Sequence, residues 1–197
     1  MVRIFKKYQK NIVLFILMFI GIGINSFPMS DAKNINKKVL VVYYSATGTT
    51  EGVAKIMAEE TNGDLFKLEP KIPYTEADLN WRDKNSRVVR EHENIDKIHV
   101  ELKDTKVDNF DSYDTIFIGS PIWWSEAAWV IYDFVKDNDF TGKTVILFGT
   151  SITTGMGDSL KKLEKMAGTG EWKTDKRFSS AYDRDEIIKW VKRQINN

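Results

Sequence analysis

The chain contains no cysteine, and this absence excludes several kinds of chemistry at once. Thiolate-bound zinc, iron–sulfur clusters, catalytic thiols and disulfide scaffolds all require that residue. Only two histidines are present, His92 and His99, and no spacing of acidic residues with them supports a metal site. At about 150 residues per domain, the 197 residues suit one domain, or one domain with a tail.

An excess of charge of either sign is also missing. The 29 basic and 28 acidic residues leave a net charge of +1. Without residues 1–32 the chain has 25 basic and 27 acidic residues, a net charge of −2. Such a body has no general attraction for a phosphate backbone, so nucleic acid is not a predicted partner.

Residues 1–32 have the pattern of an export signal. Four basic residues precede an apolar run at residues 12–24, namely Arg3, Lys6, Lys7 and Lys10. The basic head, the 13-residue apolar core and the small residues Ser30 and Ala32 predict a secretory leader that is cleaved after Ala32. An uncleaved membrane anchor and a buried core helix are alternatives, although a span needs about 20 apolar residues. With a leader or an anchor, the body is exported or attached to the outer face of the cytoplasmic membrane, and this segment makes the only membrane contact.

Strands and helices are predicted to alternate over residues 38–197. Uniformly apolar runs predict three central strands at residues 39–44, 115–119 and 144–148. Residues 64–68 alternate, which is typical of an edge strand, and a fifth strand is expected within residues 172–179. Helical spacing occurs at residues 50–61, 127–135, 160–167 and 183–195. The pattern predicts a doubly wound α/β domain, with a five-stranded parallel sheet in the order 2-1-3-4-5 and helices on both faces.

The turn between the first strand and the first helix is rich in hydroxyl groups. It consists of Ser45, Ala46, Thr47, Gly48, Thr49 and Thr50. The helix start supplies free N–H groups and a positive dipole end, and Gly48 allows close backbone approach. Neither a Gly-Lys-Ser/Thr sequence nor G-x-G-x-x-G is present, which disfavours a triphosphate or a dinucleotide. The loop therefore predicts a monophosphate site, and the alternative is an ordinary turn that caps a helix.

Residues 41–50, Val-Val-Tyr-Tyr-Ser-Ala-Thr-Gly-Thr-Thr, resemble the phosphate-binding motif of flavodoxins. Further motifs resemble one branch of flavodoxin-like proteins in the same order: Pro73-Tyr74-Thr75, Asp78-Leu79-Asn80-Trp81, Gly119-Ser120-Pro121-Ile122-Trp123-Trp124 and Lys176-Arg177-Phe178. The resemblance covers residues 38–195. It implies a flavodoxin-like fold, one noncovalently bound FMN, and redox partner proteins that the sequence does not identify.

Two further loops are expected beside the phosphate loop, because ligands of such sheets bind beyond the carboxyl ends of the strands. The first carries Ser120, Pro121, Ile122, Trp123 and Trp124, and stacking of an indole on a flavin ring would contribute about 0.5–1.5 kcal/mol beyond area burial. In the second, residues expected to bind the polar edge of the ring are Ser151, Thr153, Thr154, Gly155 and Gly157. As alternatives, the tryptophans close the end of the sheet or meet a partner, and the second loop only begins a helix.

Residues 70–94 are charged and aromatic, and they are predicted to form a loop and one polar helix. Tyr74 and Trp81 cover the flavin, receive a partner, or pack this segment onto the sheet, and packing is the favoured interpretation. His92 and His99 lie outside the three loops and are predicted to be structural or surface residues. No Ser–His–Asp set or pair of carboxylates falls near the loops, so no catalytic side chain is predicted.

The leading hypothesis is an FMN-binding, flavodoxin-like electron-transfer protein that acts outside the cytoplasm, with the flavin doing the redox chemistry. An FMN-dependent NAD(P)H:quinone-type oxidoreductase is the first alternative; it would use the same loops with one face of the ring open. A flavin-free interaction domain with the same fold is the second.

Overall fold

The computed structural model describes residues 37–196, and the predicted leader at residues 1–32 lies outside the described residues. The strands are β1 (Val39–Tyr43), β2 (Asp64–Lys67), β3 (Thr115–Trp123), β4 (Glu126–Ala127), β5 (Thr144–Ser151) and β6 (Glu171–Ser179). The α-helices are α1 (Thr49–Thr61), α2 (Arg87–His92), α3 (Tyr132–Asp137), α4 (Ser159–Ala167) and α5 (Arg184–Ile195). Short 3₁₀ turns cover Ile95–Lys97, Phe110–Ser112 and Trp129–Ile131.

Five parallel strands form the sheet in the order β2-β1-β3-β5-β6. The two-residue strand β4 pairs antiparallel with the end of β3 and lies off this path. With β4 set aside, the order is the predicted 2-1-3-4-5, and the prediction is confirmed. The alternating strand β2 lies at an edge, where Leu65 is 43% exposed, whereas all five residues of β1 are buried.

Helices cover both faces of the sheet, because alternate residues of each central strand face opposite sides. On one face, Val41 of β1 packs in a core with Met57 of α1 and Val191 of α5. On the other face, Val42 belongs to a core with residues of α3 and α4, including Leu163. The carboxyl ends of β1, β3 and β5 therefore meet at one edge of a layered domain, where ligands of such sheets bind.

The predicted third strand is longer than its apolar run. The sequence predicts a strand at residues 115–119, but β3 continues to Trp123. Ser120 and Pro121 remain in register with β5, and Ile122 and Trp123 pair with β4. The predicted helix at 127–135 begins later for the same reason, since Ala127 still belongs to the hairpin. A 3₁₀ turn at Trp129–Ile131 then leads into α3.

Gly119 lies where β3 passes the fully buried ring of Phe148, and a Cβ added there would overlap that ring. We expect Gly119→Ala to lower the free energy of unfolding by about 1–3 kcal/mol, because the central sheet must shift to accept the methyl group. Urea unfolding measures the effect. Gly155→Ala is the matched control, since its added Cβ meets nothing within 4 Å. Equal losses in the two variants would contradict the steric explanation.

Candidate functional site

The hydroxyl-rich loop after β1 presents its donors outward. Gly48, with φ +93°, precedes α1 and provides no side-chain cap for the helix. The hydroxyl oxygen of Ser45 accepts the N–H of Gly48 at 3.1 Å, which closes the turn. The first N–H groups of α1 have no partner within the helix, and the hydroxyl-bearing residues Thr47 and Thr49 lie directly before the helix and at its first position. This donor set suits an anion better than it suits a simple helix cap.

Thr50 has a different role from the rest of the loop. Its hydroxyl oxygen lies 2.8 Å from that of Thr150 at the end of β5, and both residues are buried. This hydrogen bond joins the start of α1 to the loop at residues 150–157, which is the third of the predicted loops and is called the third loop below. Thr50 can therefore offer a ligand its backbone N–H, while its hydroxyl is used inside the fold.

Glu51 places a carboxylate in the first turn of α1, close to the loop. Its oxygens lie 2.6 Å from the ammonium of Lys55 and 3.7 Å from that of Lys67. The hydrogen bond from Lys55 lowers the pKa of Glu51. The two lysines offset a charge that would otherwise repel an anion at this position.

A cavity of about 640 Å³ joins the three predicted loops at the carboxyl ends of the strands. Its volume is typical of a small-molecule site. Eleven residues line it: Ala46, Thr47, Leu79, Trp81, Val88, Pro121, Ile122, Trp123, Trp124, Ile152 and Thr154. Seven of these were candidate site residues in the sequence. None of the eleven has an ionisable side chain.

The remaining candidates lie beside the cavity and do not line it: Ser45, Gly48, Thr49, Thr50, Ser120, Ser151, Thr153, Gly155 and Gly157. Ser120 is fully buried, and its hydroxyl oxygen accepts the N–H of Ala128 at 3.1 Å, so it supports the β3–β4 hairpin. Gly157 has φ +51°, and a Cβ there would lie 2.6 Å from the carbonyl oxygen of Ser125. A glycine is needed at that point for the third loop to approach the hairpin.

The two adjacent tryptophans have different surroundings. Trp123 is half-buried and meets Tyr44, Tyr74 and Trp129 at ring-centroid distances of 5.8, 5.4 and 5.0 Å. Trp124 is 39% exposed and occupies the hairpin turn, where it and Ser125 have φ of +48° and +65°. Two non-glycine residues in the left-handed region store strain of about 1–2 kcal/mol each, which is found most often at functional sites.

His92, the last residue of α2, stacks on Trp124. Their ring centroids lie 4.4 Å apart with an angle of 13° between the planes. The sequence predicted a structural or surface role for His92, and its half-buried ring backs one wall of the cavity. His99, in contrast, is exposed and bonds the carboxylate of Asp133 at 2.8 Å.

The segment at residues 70–94 is fixed to the sheet through the carboxylate of Glu91, which is 12% exposed. That carboxylate accepts the Tyr74 hydroxyl at 2.5 Å, the Trp129 indole N–H at 2.8 Å and the Arg87 guanidinium at 2.6 Å. Burial, and then the bond to Glu91, raise the pKa of Tyr74. Tyr74 thus packs the segment onto the sheet.

Trp81 is the exposed part of the same segment. Its ring is 61% exposed, lines the cavity, and carries the Arg82 guanidinium 4.1 Å above it. Ile152, 79% exposed, lines the cavity as well. Leu79, Val88 and Ile152 could not be predicted as site residues from the sequence, because apolar side chains in charged or polar loops give no chemical signal.

The rest of the described chain adds no metal centre. Over residues 37–196, no cluster of three or more histidine, aspartate or glutamate side chains is placed to share a metal ion. Every helix in the same range is too short or too polar to cross a membrane.

An open parallel sheet in the order 2-1-3-4-5, with an anion loop after its first strand and an apolar cavity beside it, defines the flavodoxin-like class of doubly wound proteins. The chain belongs to the flavodoxin family, whose model, described as Flavodoxin, matches residues 38–194. The resemblance predicted from the motifs is confirmed.

Flavodoxins and flavoproteins are among the chain's relatives. It is 26% identical to a flavodoxin of Nostoc sp. (strain PCC 7120) over 155 residues, which cover 72% of this chain and 73% of the relative. A candidate flavoprotein from Bacteroides uniformis superposes with a TM-score of 0.73 at 38% identity, covering 79% of this chain and 98% of the other. A flavoprotein of Lactobacillus acidophilus, solved in complex with FMN, has a TM-score of 0.57 at 25% identity, covering 78% and 98%.

Proposed function

We propose that this flavodoxin-family protein binds one FMN and transfers electrons between partner proteins outside the cytoplasm. The observation that carries the proposal is the cavity, which joins Thr47 of the anion loop to Trp123 and Trp124. Family membership and the FMN complex of the Lactobacillus relative support FMN as the cofactor. The monophosphate expected from the loop chemistry fits this cofactor as well.

The residues present fit FMN at both of its ends. The first N–H groups of α1 and the hydroxyls of Thr47 and Thr49 can hold the phosphate without a cationic side chain. The aromatic and aliphatic cavity walls can hold the ring and exclude water from it. Bound FMN would supply the electron transfer, while the apolar walls disfavour negative charge in the cavity and so lower the reduction potential.

Titration of the purified full-length chain with FMN tests the proposal. We expect quenching of FMN fluorescence with a dissociation constant in the micromolar range or tighter, since the site combines an anion loop with a large apolar cavity. Riboflavin, which lacks the phosphate, should bind more weakly. A chain that leaves FMN fluorescence unchanged under all conditions in which it is folded would sink the proposal.

The location outside the cytoplasm rests on residues 1–32 and on the start of the family match at residue 38. A basic head followed by an apolar core directs export. Fusion of residues 1–38 to a reporter enzyme that folds only after export should give reporter activity. A matched fusion in which Lys6, Lys7 and Lys10 are replaced by glutamate should lose it. Equal, background activity in both fusions would contradict export.

The oxidoreductase alternative is favoured by one observation, the size and apolar character of the cavity around Trp81 and Ile152. Reduction of a quinone also needs protons, however, and no ionisable side chain lines the cavity. The electron carrier therefore remains the better proposal. Sustained oxidation of NAD(P)H by a quinone, with the purified protein as sole catalyst, would reverse this order.

A further inference from the structure

Arg177 on β6 is bound to the third loop, and none of the functions above accounts for it. Its guanidinium donates to the carbonyl oxygen of Ser151 at 3.3 Å and to that of Ile152 at 3.2 Å. The Arg177 side chain is half-buried beside β5. The Ser151 carbonyl oxygen also accepts the backbone N–H of Ser180 at 3.0 Å, so Arg177 reinforces that peptide group. Among residues 37–196, Arg177 is the one donor to the carbonyl oxygen of Ile152, and it therefore orients the next peptide group by itself.

The orientation of these peptide groups determines where their N–H groups point. In a trans peptide the C=O and the following N–H point in opposite directions. Because the carbonyls of Ser151 and Ile152 face Arg177, the N–H groups of Ile152 and Thr153 face away from it. Among residues 37–196 no acceptor takes either N–H group.

The strand order of the sheet shows where the N–H groups of Ile152 and Thr153 point. β5 lies between β6, which carries Arg177, and β3, which carries the tryptophan pair. Away from β6 is therefore toward the cavity, and Ile152 is among the residues that line it. Two neighbouring N–H donors at the rim of an apolar cavity suit a polar edge with oxygen and nitrogen acceptors, such as the pyrimidine edge of a flavin.

We infer that Arg177 is a positioning residue, which holds the third loop so that the N–H groups of Ile152 and Thr153 bind the pyrimidine edge of the flavin. The inference rests on the proposed function for its ligand. It assigns to the arginine no contact with the flavin itself. Because reduction places negative charge on that edge, the two donors should bind the reduced ring more tightly than the oxidised ring.

Substitution of Arg177 is expected to weaken the binding of the ring end of the cofactor. Arg177→Met should weaken FMN and riboflavin by the same factor, about tenfold, because both share the ring and the hydrogen bond from the Thr153 N–H is misplaced, while the Ser180 N–H still holds the Ser151 carbonyl. Arg177→Lys should weaken the binding of both flavins by a smaller factor, since one ammonium can still reach one carbonyl. If the affinity for reduced FMN falls tenfold more than the affinity for oxidised FMN, the two-electron midpoint potential becomes more negative by about 30 mV.

The test compares Arg177→Met and Arg177→Lys with Lys173→Met, an exposed change on the same strand that should leave both affinities unchanged. Fluorescence titrations with FMN and riboflavin give the affinities, and spectroelectrochemistry gives the potential. Equal affinities in wild type and Arg177→Met, or a loss confined to FMN, would overturn the inference. If the methionine variant does not fold, Arg177→Lys decides by the same criterion, an equal loss for the two flavins.

A second readout does not depend on flavin. In the protein without cofactor, ¹⁵N relaxation should show order parameters for residues 153 and 154 of about 0.85 in wild type and below about 0.6 in Arg177→Met. Unchanged order parameters would overturn the positioning role even if affinity fell. A wild-type protein that binds neither flavin would refute the proposed function and the flavin contact together, whereas the relaxation data would still decide whether Arg177 orders the loop.

Discussion

Replacing Thr47 and Thr49 together by glutamate is expected to weaken FMN binding about 10³-fold while leaving riboflavin binding nearly unchanged. The added carboxylates would lie where the first N–H groups of α1 are free to hold a phosphate. At about 4 Å and an effective dielectric constant of about 20, one like-charge pair costs about 4 kcal/mol. The lost hydroxyl donors weaken phosphate binding further.

Comparison of the two flavins separates the phosphate loop from general damage. Asn196→Glu adds a charge beside Ile195, whose carbonyl oxygen accepts a hydrogen bond from the ammonium of Lys37. Lys37 lies just before β1, at the opposite end of that strand from the anion loop. That control should leave both affinities unchanged. Thr47→Val removes one hydroxyl and should weaken FMN binding about tenfold. Undiminished FMN affinity in the double glutamate variant would show that the phosphate lies elsewhere.

The central sheet could be predicted from the sequence because its strands carry the clearest signal. Residues 39–44, 115–119 and 144–148 are apolar on both faces, which only a doubly covered parallel strand requires. The edge strand β2 alternates because one of its faces is wet. The anion loop followed directly, since its residues are contiguous and its position after a buried strand sets its role.

The hairpin at the end of β3 could not be predicted. Two-residue hairpin turns favour Asn-Gly or Asp-Gly, which tolerate positive φ, whereas this turn is Trp124-Ser125. Pro121 also argues against a continuing central strand. Tertiary contacts override both signals here: β4 completes the pairing, and His92 stacks on the turn.

The part of the cavity wall formed by residues 79–88 could not be predicted from the sequence, for a different reason. Leu79, Trp81 and Val88 reach the site only because the segment at residues 70–94 folds back onto the sheet. The contact of Arg87 and Glu91 with Tyr74 and Trp129 fixes the segment. Trp129 is 38 residues from Glu91 in the sequence. Local patterns do not report pairing over such a distance.

That contact makes Glu91 a residue whose loss should greatly lower the stability of the described domain. Glu91→Ala is expected to lower the free energy of unfolding by about 3–5 kcal/mol, because it leaves the charge of Arg87 buried without its partner. The Arg87 side chain is only 19% exposed, so water cannot fully replace the carboxylate. The hydroxyl of Tyr74 and the indole N–H of Trp129 lose their acceptor as well.

Urea unfolding of matched variants can assign the loss to the buried charge. Glu93→Ala removes an exposed carboxylate two residues away and should change stability by less than about 0.5 kcal/mol. The double variant Arg87→Met, Glu91→Leu removes both charges and should recover most of the stability lost in Glu91→Ala. A double variant as unstable as Glu91→Ala would mean that lost packing or lost hydrogen bonds, rather than an unpaired charge, causes the defect.

The same variants connect the segment at residues 70–94 to the cofactor site. Trp129, which Glu91 holds, packs against Trp123 at 5.0 Å and Trp124 at 6.0 Å. Glu91→Ala should therefore weaken FMN and riboflavin alike, in contrast to the glutamate variants of the anion loop, which affect FMN alone. Wild-type affinity for both flavins in folded Glu91→Ala would show that the tryptophan wall keeps its position without the carboxylate.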